Sequence, residues 1–256
     1  STMIEITSEN KIPDLGTNKV IGNFKMINSK IRIGGDHNIL YLDGVVLNNT
    51  TINVRHNNSF VFAKDTRISN FQPLIVNHDA NIVIMPGLTS GRIAANIGDG
   101  NLIIGKDCMF ADDIFVQSHD GHAIYSADTY KILNRGKSIL IGDHVWLGRR
   151  ANIIKGSQIG SGSIVGTAAL CSNRRFNCNS IIGGLPAHVI RARAFWTRTG
   201  VHVLSKVARE QSNTCKNDNF LYTENEFTEK FIKLDNYLTQ TSDFGEKIEK
   251  ISSLIK

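Results

Sequence analysis

Aliphatic residues recur every six positions in the second half of the chain: Ile141, Leu147, Ile153, Ile159, Val165 and then Cys171. Glycine follows directly at Gly142, Gly148, Gly160 and Gly166. A period of six fits neither a helix at 3.6 nor a plain strand at 2.0. It fits a parallel β-helix, where each hexad is one short strand plus a turn and three hexads complete a triangular coil. The aliphatic side chain then points inward and stacks on its counterpart one coil away, at about 4.8 Å. The glycine beside it is expected to supply positive φ at a tight corner.

The pattern is looser upstream. Residues from about 20 to 103 are rich in Asn, Gly and β-branched residues, with short alternations such as Ile31/Ile33, Ile52/Val54, Phe60/Phe62 and Ile82/Ile84. This reads as an atypical start to the same solenoid, as capping coils commonly are. From Ile104 the phase tightens through Phe110 and Val116, breaks over Gln117 to Lys137, and resumes at Ile141. A solenoid that interrupts its own repeat has extruded a loop, and loops carry function more often than cores do. After Arg191 the hexads stop. Thr223-Glu224-Asn225-Glu226 is a capping-box pattern followed by Phe227, Phe231, Leu234 and Leu238 at helical spacing. Ile248, Ile251, Leu254 and Ile255 mark a second amphipathic helix. Both should fold back on the solenoid or pack on a neighbouring subunit, with Gln211 to Asn219 as a polar linker. The chain divides into an N-terminal segment (1–20), a β-helix domain (21–191) and a C-terminal helical extension (192–256).

Composition changes the picture in one place. The net charge of +6 is uneven: from His144 to Arg209 there is no Asp or Glu, yet ten Lys and Arg. Such a bias implies a polyanionic ligand. With few aromatics for base stacking and no nucleic-acid motif, phosphates of a small cofactor fit better than nucleic acid. No stretch approaches a membrane span. Cys108, Cys171, Cys178 and Cys215 form no CxxC pair and no metal-ligand spacing, and Cys108 and Cys171 fall where packed thiols are expected. Reduced cysteines and the lack of an export signal point to the cytoplasm.

His122, within Asp120-Gly121-His122 of the interrupting loop, is the candidate catalytic residue. Neutral imidazole accepts a proton near neutral pH, which acyl transfer to an alcohol requires. Asp120 either orients His122 or caps the turn. His119 is a candidate acceptor contact.

DGHAIYS, then SILIGDHVWLGRRANIIKGSQIGSGSIVGTAAL and IIGGLPAHVIR, resemble the hexapeptide-repeat acetyltransferases. The strict match runs over roughly residues 102 to 193. The resemblance implies an all-β solenoid, a left-handed parallel β-helix, although general crossover handedness points the other way. It also implies acetyl-CoA as donor with no metal, and a homotrimer. The loop histidine of the family corresponds to His122. The pair SHDGH and VWLG is most similar to capsular polysaccharide O-acetyltransferases, those acting on polysialic acid in particular, and adds Trp146 as a second catalytic position. Carried over by motif, Gly148, Arg149, Gly166, Thr167, Ser172 and Asn173 line the pantetheine and adenine groove, and Arg191 with Arg193 meets phosphate. The acceptor implied is a sugar hydroxyl of a bacterial surface polysaccharide, with His119 and Asp120 contacting an anionic glycan. Trp146 either helps to stabilise the oxyanion or walls the pantetheine channel.

Three other readings compete. The acceptor is a small or nucleotide-linked amino sugar; the chain is a trimeric γ-type metal hydratase built on His119, His122 and His144; or the solenoid is a non-catalytic scaffold, which the intact DGH loop opposes.

Overall fold

The computed structural model describes residues 2–210, 214–215 and 218–256. Its body is a left-handed β-solenoid of about eight coils, as the hexads and their resemblance led us to expect. Short strands stack in parallel register on three faces. The first face includes Thr51–Val54, Ile93–Ile97, Ile114–Gln117, Asn152–Ile154 and Leu170–Cys171. The second includes Leu102–Ile104, Ile139–Ile141, Gln158–Ile159 and Arg175–Phe176. On the third lie Met109–Phe110, Trp146–Leu147, Ile164–Val165 and Ile181–Gly184. Every hexad position from Ile141 to Cys171 is fully buried in the interior column.

The loose upstream phase has a geometric cause. Ile153 pairs with Cys171, a step of 18 residues, whereas Ile31 pairs with Ile52 and Ile52 with Leu74, steps of 21 and 22. In these wider coils the strands Ile39–Asn48 and Phe60–Ser69 run on through a corner, with Gly44 and Asp65 at positive φ marking the bend. The corners hold buried amides as well. Asn38 donates to Asn18 Oδ1 at 3.0 Å and to the His56 carbonyl at 2.7 Å, so buried polar groups are paired coil to coil.

The hexad glycines have a different reason from the one expected. None of Gly142, Gly148, Gly160 and Gly166 takes positive φ. That conformation falls further along each corner, to His144, Arg150, Gly156, Gly162, Ala168 and Asn173. A Cβ on Gly160 would stand 2.3 Å from the Cys178 nitrogen, and one on Gly148 would stand 2.8 Å from the Thr167 nitrogen. These glycines let successive coils approach; they do not shape the turn.

Both ends are capped. Ile4–Ile6 pairs antiparallel with Lys30–Ile33, and Lys19–Ile21 joins the second face. Ala187–Arg191 turns back antiparallel on Ile181–Gly184. The expected linker at Gln211 to Asn219 lies for the most part outside the described residues. Thr223 caps the helical run with a complete capping box. Glu224–Phe227, a π-turn at Thr228–Ile232 and Lys233–Gln240 then follow one another, with Phe244–Leu254 after them. These helices fold back on the outer side of the second face. Phe227, Phe231, Leu234, Leu238 and Ile251 bury Phe60, Phe62, Val83, Ile103 and Leu140, so that sheet is apolar on both sides. At about 1.5–3 kcal/mol for each fully buried large side chain, this packing is a substantial share of the fold's stability.

Candidate active site

The interrupting segment leaves the solenoid after Gln117, at the corner between the first and second faces, and returns at Ile139. It is an arm with its own hairpin. Tyr125 bridges Ile132, the Leu133 nitrogen donates to the Ile124 carbonyl at 2.8 Å, and Ser126 Oγ accepts from the Asp128 and Thr129 amides in the turn. His122 lies near the arm's base with its side chain exposed. The arm is fastened there by one side chain that sequence reading missed. Asn134 Nδ2 donates to Asp120 at 2.9 Å and to the His122 carbonyl at 2.8 Å, and Asn134 Oδ1 accepts from the Ile124 amide at 2.7 Å. Asp120 also accepts from Lys155, one coil further on. The Lys155 and Asn134 hydrogen bonds hold the Asp120 carboxyl below its usual range. Asp120 therefore pins the loop that carries His122.

His119, expected to contact acceptor, faces the solenoid. Its Nε2 meets Asn96 Oδ1 at 3.1 Å and its Nδ1 accepts from the Gly121 amide at 3.0 Å, which fixes the neutral tautomer with the proton on Nε2. Desolvation lowers its pKa. Lys137 reaches Asn173 Oδ1 at 2.8 Å, so the arm's returning limb is tied to the coil above as well.

Trp146 lies on the third face, 37 % exposed, between Met109 and Ile164 in register and 6.0 Å from the Trp196 ring. That face is opposite the corner from which the arm leaves, so one chain does not bring His122 and Trp146 together. The residues expected at the cofactor groove also divide. Gly148, Arg149, Gly166 and Thr167 stack at the corner between the third and first faces, where the Ala168 amide donates to the Arg149 carbonyl. Ser172 and Asn173 follow Cys171 at the next corner, above Lys155. Arg149 faces Asp113 at 4.0 Å. Arg191 ends the capping strand and Arg193 follows at positive φ, both exposed and without a carboxylate partner among the described residues.

His144 is 1 % exposed, clamped between the Trp196 and Phe220 rings at 4.0 and 4.1 Å. Its Nδ1 lies 2.6 Å from Asp107 Oδ2 and its Nε2 2.9 Å from the Trp196 carbonyl. Both ring nitrogens are therefore occupied by partners within the chain. This histidine pins the segment after the cap, which Arg198 also fastens to Asp107. It has no nitrogen left to ligate a metal, which removes one of the three ligands the hydratase reading needs. No group of three His, Cys, Asp or Glu among the described residues is arranged to hold a metal ion.

No family model matches the chain. It is 29 % identical over 176 residues to a polysialic acid O-acetyltransferase of Neisseria meningitidis, covering 68 % of this chain and 82 % of the relative. Among solved structures it resembles the polySia-specific acetyltransferase NeuO (TM-score 0.65, 26 % identity, 77 % of this chain and 97 % of that one). It also resembles the polysialic acid O-acetyltransferase OatWY (TM-score 0.69, 28 % identity, 73 % and 91 %). What these proteins share with it is the stacked coil itself, and sequence and fold together fit a hexapeptide-repeat acetyltransferase, an O-acetyltransferase like its relatives.

Proposed function

We propose that the protein transfers an acetyl group from acetyl-CoA to a hydroxyl of an acidic bacterial surface polysaccharide of the polysialic acid kind, in the cytoplasm, with His122 as general base. The observation that carries the reading is the fastened arm. It holds an exposed imidazole at a fixed point on the solenoid edge, as proton abstraction from a bound hydroxyl requires.

When bound, acetyl-CoA supplies the acetyl group as a thioester. Arg191 and Arg193, exposed and without a carboxylate partner among the described residues, suit its phosphates, and the backbone at Gly148, Gly166 and Thr167 suits the amide-rich pantetheine arm. His122 takes the proton of the attacking hydroxyl and returns it to the departing thiolate. Trp146 faces the acyl end, either near the oxyanion or as the channel wall. His119, held neutral in one tautomer, shapes the acceptor side with Asp120.

Two observations support a threefold assembly. His122 and Trp146 lie on opposite sides of one chain, so a shared site needs two chains. The arm also exposes Tyr130 (82 %) and Leu133 (65 %) together with Ile124, Tyr125 and Ile132, while remaining hydrogen-bonded internally. An ordered apolar arm that nothing among the described residues covers is suited to a second copy. The test is complementation. His122→Ala and Trp146→Ala chains are each expected to be inactive alone, and co-assembly should restore part of the activity. Mixed assemblies that remain inactive would contradict the shared site.

A further inference from the structure

On the N-terminal side of the arm, a cleft of about 940 Å³ opens between the solenoid corner and the segment Leu238–Ser242, the end of the helix Lys233–Gln240 and the residues after it. Asp120 pairs with Lys155, while His119, Gly136 and Lys137 at the arm's base line this cleft. His56 and His78 lie on its wall with their rings stacked 4.1 Å apart at 17°. They occupy the same position in successive coils, since Val54 pairs with Val76. The Asn57 amide donates to His78 Nδ1 at 3.4 Å, which leaves His78 Nε2 as a donor for an incoming group. Of the two carboxylates that line the cleft, Asp99 is engaged and Asp79 is exposed. Arg135 and the Gly136 amide hold Asp99 at 3.1 and 2.7 Å. Asp79 acts electrostatically on Lys247, which donates to Asn81 at 2.7 Å.

The cleft is continuous with the arm's base. Asn77 donates to Asn96 Oδ1 at 2.8 Å, and the same oxygen accepts from His119 at 3.1 Å, three residues before His122. Counting the ladder from Val76 through Ile97 and from Asn96 through Gln117, His78 stands two coils below Asp120, about 10 Å at the usual strand spacing. A group bound at the histidine pair therefore belongs to a part of the acceptor remote from the reacting hydroxyl.

We propose that this cleft is an extended acceptor subsite for an acidic glycan chain, with His56 and His78 recognising a carboxylate of a sugar away from the one that is acetylated. The proposal rests on the acceptor reading above and deepens it. Facing imidazoles cannot both carry charge cheaply without an anion between or beside them, and burial, His78 and Arg55 together hold His56 below its ordinary pKa. A carboxylate would supply the missing counter-charge, while the flanking asparagines suit sugar hydroxyls.

The test compares wild type with the His56→Ala/His78→Ala double variant on long polysialic acid, on a sialic acid dimer and on carboxyl-reduced polymer. Both histidines are exposed, so the fold is expected to stand, and an unchanged KM for acetyl-CoA checks it. The variant's KM for the long polymer should rise about tenfold, the scale of a lost charge-assisted hydrogen bond, with kcat and the dimer's KM unchanged. Wild type should treat carboxyl-reduced polymer as the variant treats the native one. A polymer KM that stays put, or a rise shared equally by the dimer, would overturn the subsite. Failure of wild type to acetylate any of the three would instead overturn the underlying acceptor reading.

Discussion

Asn134→Ala is the most informative small perturbation of the arm. The Asn134 side chain makes three hydrogen bonds, to Asp120, to the His122 carbonyl and from the Ile124 amide, and alanine removes all of them without touching His122. A typical net hydrogen bond contributes about 0.5–1.5 kcal/mol, and in this exposed setting water replaces part of each. Taking the lower end gives a loss of about 1.5–2 kcal/mol in holding the productive arm, or roughly a 10- to 30-fold fall in kcat. Asn134→Asp keeps the acceptor for Ile124 but sets a carboxylate against Asp120 and the His122 carbonyl, so it should do no better than alanine. Steady-state kinetics decides it: kcat should fall while the KM for acetyl-CoA holds, because Asn134 touches none of the residues proposed to contact the cofactor. A kcat within twofold of wild type for Asn134→Ala would refute the claim that this side chain positions the base.

Replacing Arg191 and Arg193 together with alanine should raise the KM for acetyl-CoA at nearly constant kcat, since uniform binding would be lost far from the reacting carbon; a rise confined to the acceptor KM would move the phosphate site elsewhere. Lys230 and Asp143 form a half-submerged pair at 2.7 Å, with Lys230 desolvated enough to lower its pKa. Asp143→Ala should cost about 3–5 kcal/mol in urea denaturation by stranding the ammonium, whereas Lys230→Met should stay within about 1 kcal/mol, and equal effects would contradict the asymmetry. The Asp120 carboxyl is held below its usual range, so the pinning it provides is complete above that range and is lost as pH falls through the lower folded-state value. Proteolysis of the arm should therefore be flat from pH 8 to 5 and accelerate only in stronger acid; acceleration already near pH 6 would contradict this.

Much of the solenoid was legible because one rule repeats. The inward positions from Ile141 to Cys171 required only the hexad period, and the capping box at Thr223 marked its helix by local chemistry alone. The wider upstream coils hid because the corner-crossing strands shift the phase by three or four residues per coil. The glycines were located correctly and explained wrongly, since the neighbour that excludes a Cβ lies a coil away and cannot be read locally. Asn134 and Lys155 went unseen for the same reason: their partner Asp120 is 14 and 35 residues distant. Asn134 alone left a trace, as an amide within the same extruded segment. The separation of His122 from Trp146 was beyond sequence reading, because motif spacing records order along the chain and not which face each residue occupies.

The central claim is that His122 is the base. His122→Ala, assayed with acetyl-CoA and an acidic glycan acceptor alongside direct measurement of CoA binding, tests it most directly. We expect kcat to fall on the order of 100-fold or more while CoA affinity is unchanged. Activity within twofold of wild type would contradict the account.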